Sequence, residues 1–315
     1  AEALIADGQQ GDATAKVKIT ENTTVNVTFK AIKYPVTMTH GEHGDITADM
    51  SIPAEGIDYG TEITFTATAN LGYRVDTWTV TPAEALIADG QQGNTTAKVK
   101  VTANTTVNVT FKPIVYTPVA YADLNAYLAA QPESDGIYYI EVTGLTAPDL
   151  KGKHTSPYKP SALGKILKNN SDKTVALKLP KTVEGLTDMS NCFAECENLV
   201  SVANIPSGVR DMRDCFYGCI RLKTAPVIPY GVLEMSYCFK GCKNLTSVTL
   251  KCGCTPYFFE DTFKDCDALG VGSIKVPKAA YHQFITAEAL NKMAVPGATE
   301  AEKKAKFKGL AELNP

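Results

Sequence analysis

The chain has very little of what enzymes and membrane proteins carry. Among 315 residues there are one tryptophan, four histidines and no cysteine before Cys192. No G-x-S-x-G, H-E-x-x-H or G-x-x-x-x-G-K-[ST] string occurs, so the common nucleophile, zinc-protease and phosphate-loop signatures are absent. No run approaches 18 apolar residues, which excludes a hydrophobic membrane-spanning helix. Charge of one sign is lacking too, with 31 basic against 34 acidic residues. Residues 1–112 hold 8 basic and 13 acidic residues and the rest 23 and 21, so neither part is a basic field for nucleic acid. The basic run 301–308, with Glu288 and Glu300 nearby, reads as the solvated face of a terminal helix. His40-Gly-Glu-His43 is the only ligand-like spacing, and its glycines place it in a hairpin turn. His154 and His282 stand alone. No catalytic, metal or cofactor-binding residue is expected.

What is present is repetition. Met189, Met212 and Met235 are 23 residues apart. In step with them run Cys192/Cys215/Cys238, Phe193/Phe216/Phe239, Cys196/Cys219/Cys242 and Leu199/Leu222/Leu245. A degraded fourth copy follows one residue late, with Thr262, Phe263, Cys266 and Leu269. A period of 20–29 residues is that of a leucine-rich solenoid, whose units bury their apolar edges on one another. Within a unit, Met189, Cys192, Phe193 and Cys196 fall at i, i+3, i+4 and i+7, predicting a two-turn α-helix. Leu199 and Val202 predict a short strand, with Pro206 and Pro229 just past the strand ends. The stretches NCFAECENLVSVANIPSGVRDM, DCFYGCIRLKTAPVIPYGVLEM and YCFKGCKNLTSVTLKC resemble the BspA-like leucine-rich repeats of bacterial surface proteins, over roughly residues 179–277. That resemblance implies a secreted or surface-anchored protein that adheres to host matrix or to other cells.

Locked to repeat positions, the cysteines read as a ladder of small buried side chains rather than as zinc ligands. Cys252 and Cys254 lie outside the ladder and are the candidates for a disulfide if the chain meets an oxidising environment.

Residues 1–30 recur as 83–112 with 26 of 30 positions identical. The exceptions are Asp12/Asn94, Ala13/Thr95, Ile19/Val101 and Glu21/Ala103. The chain therefore opens inside one module and runs through a complete one, and Ala1 is not expected to be a natural start. Alternating runs at 34–39, 45–50, 61–69, 73–80, 97–102 and 105–111 make the module all-β, a small β-sandwich or β-grasp-like unit, with turns at 40–44 and 70–73. Trp78 with Val75 and Val80 favours a small core. Gly72, Tyr73, Val75 and Trp78, with the closing T-T-V-N-V-T-F, resemble the internalin B-repeat type, which implies a spacer or weak adhesive unit. The Asn-x-Thr sequons at Asn22, Asn26, Asn94, Asn104, Asn108 and Asn244 would matter only in a eukaryotic secretory route.

The expected fold class is thus multidomain, an all-β module followed by a short α/β leucine-rich-repeat solenoid with a helical C-terminal cap. The expected divisions are a truncated module (1–30), a complete one (31–112), a linker (113–120), an N-terminal cap (121–178), repeats (179–277) and a helical cap (278–315). The cap at 121–178 should hold helices at 122–130 and 162–167 and strands at 137–143 and 174–179. Helices at 279–293 and 299–313 should close the other end.

The first functional reading is a non-catalytic bacterial cell-surface or secreted interaction protein, a monomer. It would bind a protein or glycan on a host or neighbouring cell through Ser201, Ala203, Asn204, Lys223, Thr224, Thr246, Ser247 and Thr249 on the strand face. No nucleic acid and no transmembrane segment are expected. The alternatives are a structural spacer of a larger envelope protein, with no ligand of its own, and an enzyme with its site in 121–178.

Overall fold

The computed structural model describes residues 4–7, 15–17, 24, 26, 29–70, 72–132, 136–155 and 159–313. Asp12, Ala13, Ile19, Glu21, the Asn22 sequon and Leu71 of the expected 70–73 turn lie outside them. The chain divides into two compact units, Ala1–Pro113 and Ile114–Pro315.

The first unit is strand-rich. A four-stranded antiparallel sheet runs in the order Gly44–Ala48, Glu62–Ala69, Thr96–Lys100, Leu86–Asp89. A three-stranded sheet places Thr105–Pro113 between Val36–His40, to which it is parallel, and Tyr73–Thr81, to which it is antiparallel. Their inward residues, among them Ile63, Phe65, Val75, Trp78, Val99 and Val107, form one buried cluster. Val75 and Trp78 are three apart, an odd spacing that would put them on opposite faces of a regular strand. A bulge repairs this: Val109 pairs with Trp78 but Phe111 with Val75. The Trp78 indole N–H is satisfied by the Asn94 carbonyl at 2.8 Å. Leu4–Asp7 pairs with Ala15–Val17 in the register that Leu86–Asp89 uses on its partner, irregularity included.

The turn at 40–44 is not a hairpin. The strands on either side of it belong to different sheets, so it carries the chain from one sheet to the other. The Gly41 N–H bonds the Val109 carbonyl at 2.9 Å, and the Phe111 ring lies where a Cβ on Gly44 would sit.

In the second unit eight strands form one all-parallel sheet, added in chain order: Thr117–Ala120, Tyr138–Thr143, Val175–Lys178, Leu199–Val202, Thr224–Ile228, Ser247–Leu250, Ile274–Pro277 and Phe307–Leu310. Helices are few and short. Leu124–Ala129 and Ala162–Asn169 fill the early connections, and Tyr281–Phe284, Ala287–Lys292 and Glu300–Ala305 the last. Pro229 directly follows its strand, whereas Pro206 comes four residues after Val202.

The two-turn helix expected in each repeat does not form. Residues 190–195 are a succession of tight turns, with Asn191 and Glu195 in the left-handed region at φ 54° and 57°. The same two positions are left-handed in the following repeats, as Asp214/Gly218, Tyr237/Gly241 and Asp261/Asp265. An α-helix would spend nearly every N–H on its own carbonyls. Here the N–H groups alternate. Those of Cys192 and Cys196 turn back to Met189 and Phe193, at 3.1 and 3.0 Å. Those of Met189, Asn191, Phe193 and Glu195 bond the next repeat at Asp211, Arg213, Cys215 and Tyr217, at 2.6–2.8 Å. The pattern recurs from Met212, Asp214, Phe216 and Gly218 onward. A left-handed residue with a Cβ costs roughly 1–2 kcal/mol. The ladder to the neighbouring repeat offsets this, and Asn, Asp and Gly tolerate the conformation best.

A four-residue turn cycle has the same inward spacing as a helix, so the buried positions are still those of the repeat. All fifteen ladder residues from Met189 to Leu245 are fully buried. Phe193, Phe216, Phe239 and Phe263 stack with centroids 5.5, 5.4 and 6.1 Å apart.

The C-terminal segment also departs from expectation. Thr299 and Glu302 form a capping box that starts a helix, but the helix ends at Ala305. Phe307–Leu310 then joins the sheet, with Phe307 buried beside Ile274. Gly309 permits this, because a Cβ there would come within 3.3 Å of the Tyr281 ring.

Candidate interaction face

Side chains alternate along a strand, so one face of the parallel sheet packs inward and the other points out. The inward residues Val202, Ala225, Ile228, Val248, Leu250, Ile274 and Val276 are all buried. On the outward face the structure brings Ser201, Thr224 and Ser247 into register on adjacent strands, Ser201 beside Thr224 and Thr224 beside Ser247. Thr224 is exposed and its two neighbours are half-buried. Thr249 belongs to a second row, between Val227 and Lys275. Lys223 and Thr246 meet at the strand entry, where the Thr246 hydroxyl donates to the Lys223 carbonyl at 2.9 Å. Asn204 lies past its strand and donates to the Pro180 carbonyl at 3.3 Å, so its amide is tied to the preceding repeat. Ala203 is half-buried beside it.

Sequence reasoning missed the continuation of the second row into Lys275 and Lys308, which are in register on the last two strands. Lys308 sits in a segment read as helix, so its strand position had no periodic signal. It also missed Tyr230, whose exposed ring carries Lys251 Nζ 5.6 Å from its centroid and whose hydroxyl donates to the Leu313 carbonyl at 2.9 Å.

Residues 34–115 match the family described as Divergent InlB B-repeat domain, and residues 167–292 match BspA type Leucine rich repeat region, in six copies. Residues 34–115 thus carry a divergent InlB B-repeat, and residues 167–292 BspA-type leucine-rich repeats. Comparison with curated proteins and with solved structures gives no match. Both module types are typical of bacterial surface proteins and generally non-enzymatic, and leucine-rich repeats suggest protein–protein interaction. Among the described residues, no helix is long and apolar enough to cross a membrane.

The remaining chemistry belongs to the packing of the repeats. All nine cysteines are free thiols, eight of them buried and Cys254 half-buried. In the second cysteine column Cys196 donates to the Gly164 carbonyl at 3.4 Å, and the later sulfurs each donate to a phenylalanine carbonyl of the preceding repeat: Cys219 to Phe193 and Cys242 to Phe216, each at 3.1 Å, and Cys266 to Phe239 at 3.0 Å. Thr262, in the first column, does the same with its hydroxyl toward Met235, at 3.0 Å. Burial, which disfavours the thiolate, pushes up the thiols of Cys196, Cys215, Cys219, Cys238, Cys242 and Cys266, the last to about 12.

In the B-repeat, His43 stacks on Tyr73 at 3.9 Å, and His40 faces Asp45 at 3.7 Å. Among the described residues no group of three His, Cys, Asp or Glu is placed to hold a metal ion. Where the 121–178 segment meets the start of the repeats, an open recess is lined by Ala147, Pro148, Lys151, Lys153, Leu186 and Asp188. Of its charged groups, Lys151 pairs with Asp188 at 2.5 Å. His154, on the same loop, holds the buried Asp214 carboxylate at 2.9 Å and so ties this segment to the second ladder repeat.

Proposed function

We propose that this chain is a non-catalytic, monomeric interaction protein of a bacterial cell surface or secretion. Residues 31–112 serve as a spacing module after the repeated segment 1–30, and 113–120 as a linker. The segment 121–178 caps a leucine-rich-repeat solenoid over 179–277, and 278–315, helices plus one strand, closes it. The strand face centred on Ser201, Thr224 and Ser247, flanked by Lys223, Thr246 and Thr249, receives a partner on a host or neighbouring cell, and Asn204 borders it.

One observation carries this reading. The inner face of the sheet is closed by ladder side chains, while the outer face holds short, uncharged polar groups in register across three repeats. A rigid frame beneath a small-residue surface can accept a partner without reorganising.

The test is binding of the intact protein, immobilised on beads, to host-matrix proteins and to whole cells. Saturable binding is expected. No binding to any of them would leave the spacer role, which the 26-of-30 duplication of the B-repeat segment favours, as the better reading.

A further inference from the structure

Carboxylates are unevenly placed around the leucine-rich repeats. The turn side carries carboxylates in column, Asp188 bridged to Asp211 and Asp211 to Glu234, with Asp261, Asp265 and Asp267 further on. The last four strands carry none. From Lys223 to Tyr230, Thr246 to Cys254, Ser273 to Ala280 and Lys306 to Ala311 there is no Asp or Glu. Lys275 and Lys308 stand in register in the same outward row as Val227 and Thr249, on strands about 4.8 Å apart. Lys251, two residues past Thr249, continues that face. None of these three ammonium groups forms an ion pair among the described residues, although the turn-side Lys240 and Lys264 both reach Asp261.

Beside this row the exposed Tyr230 ring, Lys251, Gly253, Pro277, Ala280 and Gln283 line an open recess. It is shallow and offers no enclosed apolar pocket for a peptide side chain. A flat aromatic ring next to a lysine and a glutamine suits a sugar, whose C–H face packs on the ring while its polar groups meet the cation and the amide.

We infer that the C-terminal half of this strand face binds a negatively charged glycan chain. Lys275, Lys308 and Lys251 would meet its sulfate or uronate groups, and the Tyr230 recess would hold one sugar ring. Lysine, a compact point charge on a flexible stem, can follow a polyanion whose charges are spaced along a chain. The inference rests on the strand face being the binding face and adds the chemistry of what it binds.

The test is titration of the intact chain at about 0.15 M salt, near a Debye length of about 8 Å, with defined octasaccharides. Heparin-derived chains carry sulfate and carboxylate, hyaluronan carboxylate alone, and dextran neither. Binding of the first or of the first two is expected and assigns the anion, with dextran inert. Lys275→Glu with Lys308→Glu should weaken binding by about tenfold or more, as expected when two close charge contacts become repulsive. Lys165→Glu with Lys243→Glu makes the same change in net charge on the connections and should leave binding within about twofold. Equal loss in both double variants would show a diffuse charge effect and overturn the proposal. So would absence of binding to either anionic chain, or a poly-glutamate peptide binding as tightly as the glycans. In those cases the wider reading is judged separately, by whether Thr224→Trp still abolishes attachment to cells.

Discussion

Phe216 lies face to face with Phe239, the ring centroids 5.4 Å apart and the planes within 5° of parallel. On its other side Phe193 stacks at 5.5 Å. The middle ring is therefore enclosed between two others, and its loss opens a void that touches two repeat interfaces.

Phe216→Ala should cost about 3–5 kcal/mol, the usual range for a buried phenylalanine. Phe263→Ala should cost less, because Phe263 stacks on Phe239 alone and at the longer distance of 6.1 Å. Circular dichroism melts of the two variants check this. Equal small shifts would mean that the rings do not form a continuous core.

Gly218 separates the turn ladder from the helix that its spacing suggests. In an exposed helix, Gly→Ala stabilises by roughly 1 kcal/mol. Gly218 has φ 67°, and a Cβ there meets only ordinary contacts with Glu195 at 3.5 Å, so the backbone alone sets the sign. Gly218→Ala should destabilise by about 1–2 kcal/mol. Denaturant titration gives the sign directly, and a gain in stability would restore the helix.

That distinction shows how far the sequence could be read. The inward set Met189, Cys192, Phe193 and Cys196 was legible because burial depends only on which side chains face in, and a turn cycle and a helix share that spacing. The backbone was not legible from apolar positions alone. Its trace lay in the residues between, at Asn191, Asp214/Gly218, Gly241 and Asp261/Asp265, where Asn, Asp and Gly favour left-handed turns, although Glu195 and Tyr237 take the same conformation without that signal. The 40–44 turn misled in the same way: its glycines mark a reversal, but only pairing shows that the flanking strands sit in different sheets. Phe307–Leu310 followed a strong helix start, and only the free sheet edge at Ile274–Pro277 explains why it extends. On the strand face, Ser201, Thr224 and Ser247 could be picked out as non-periodic residues, whereas their register with one another could not.

The thiols should be silent in the folded protein. Burial raises the pKa of Cys196, Cys215, Cys219, Cys238, Cys242 and Cys266, and that of Cys252 and the half-buried Cys254 each to about 12, so their reactive thiolate is scarce at neutral pH and gains only as pH rises toward those values. A colorimetric thiol reagent at pH 8 should label at most Cys254 quickly, with all nine cysteines reacting after denaturation. Fast labelling of several thiols in native protein would show that the ladder opens readily. Fewer than nine thiols after denaturation without reductant would reveal a disulfide.

On the proposed function, the strand face and not the stacked turns meets the partner. A tryptophan scan tests it most directly, with single substitutions at Ser201, Thr224, Ser247 and Thr249 on the strand face and at Glu195, Arg213 and Lys264 on the turn side. Each variant is first checked for an unchanged melt and then measured for attachment to the cells or matrix that the native chain binds. Thr224→Trp, at the centre of the row, should abolish attachment, its strand-face neighbours should weaken it, and the three turn-side variants should attach as the native chain does. Full attachment by every strand-face variant, with loss confined to the turn side, would contradict the proposed function.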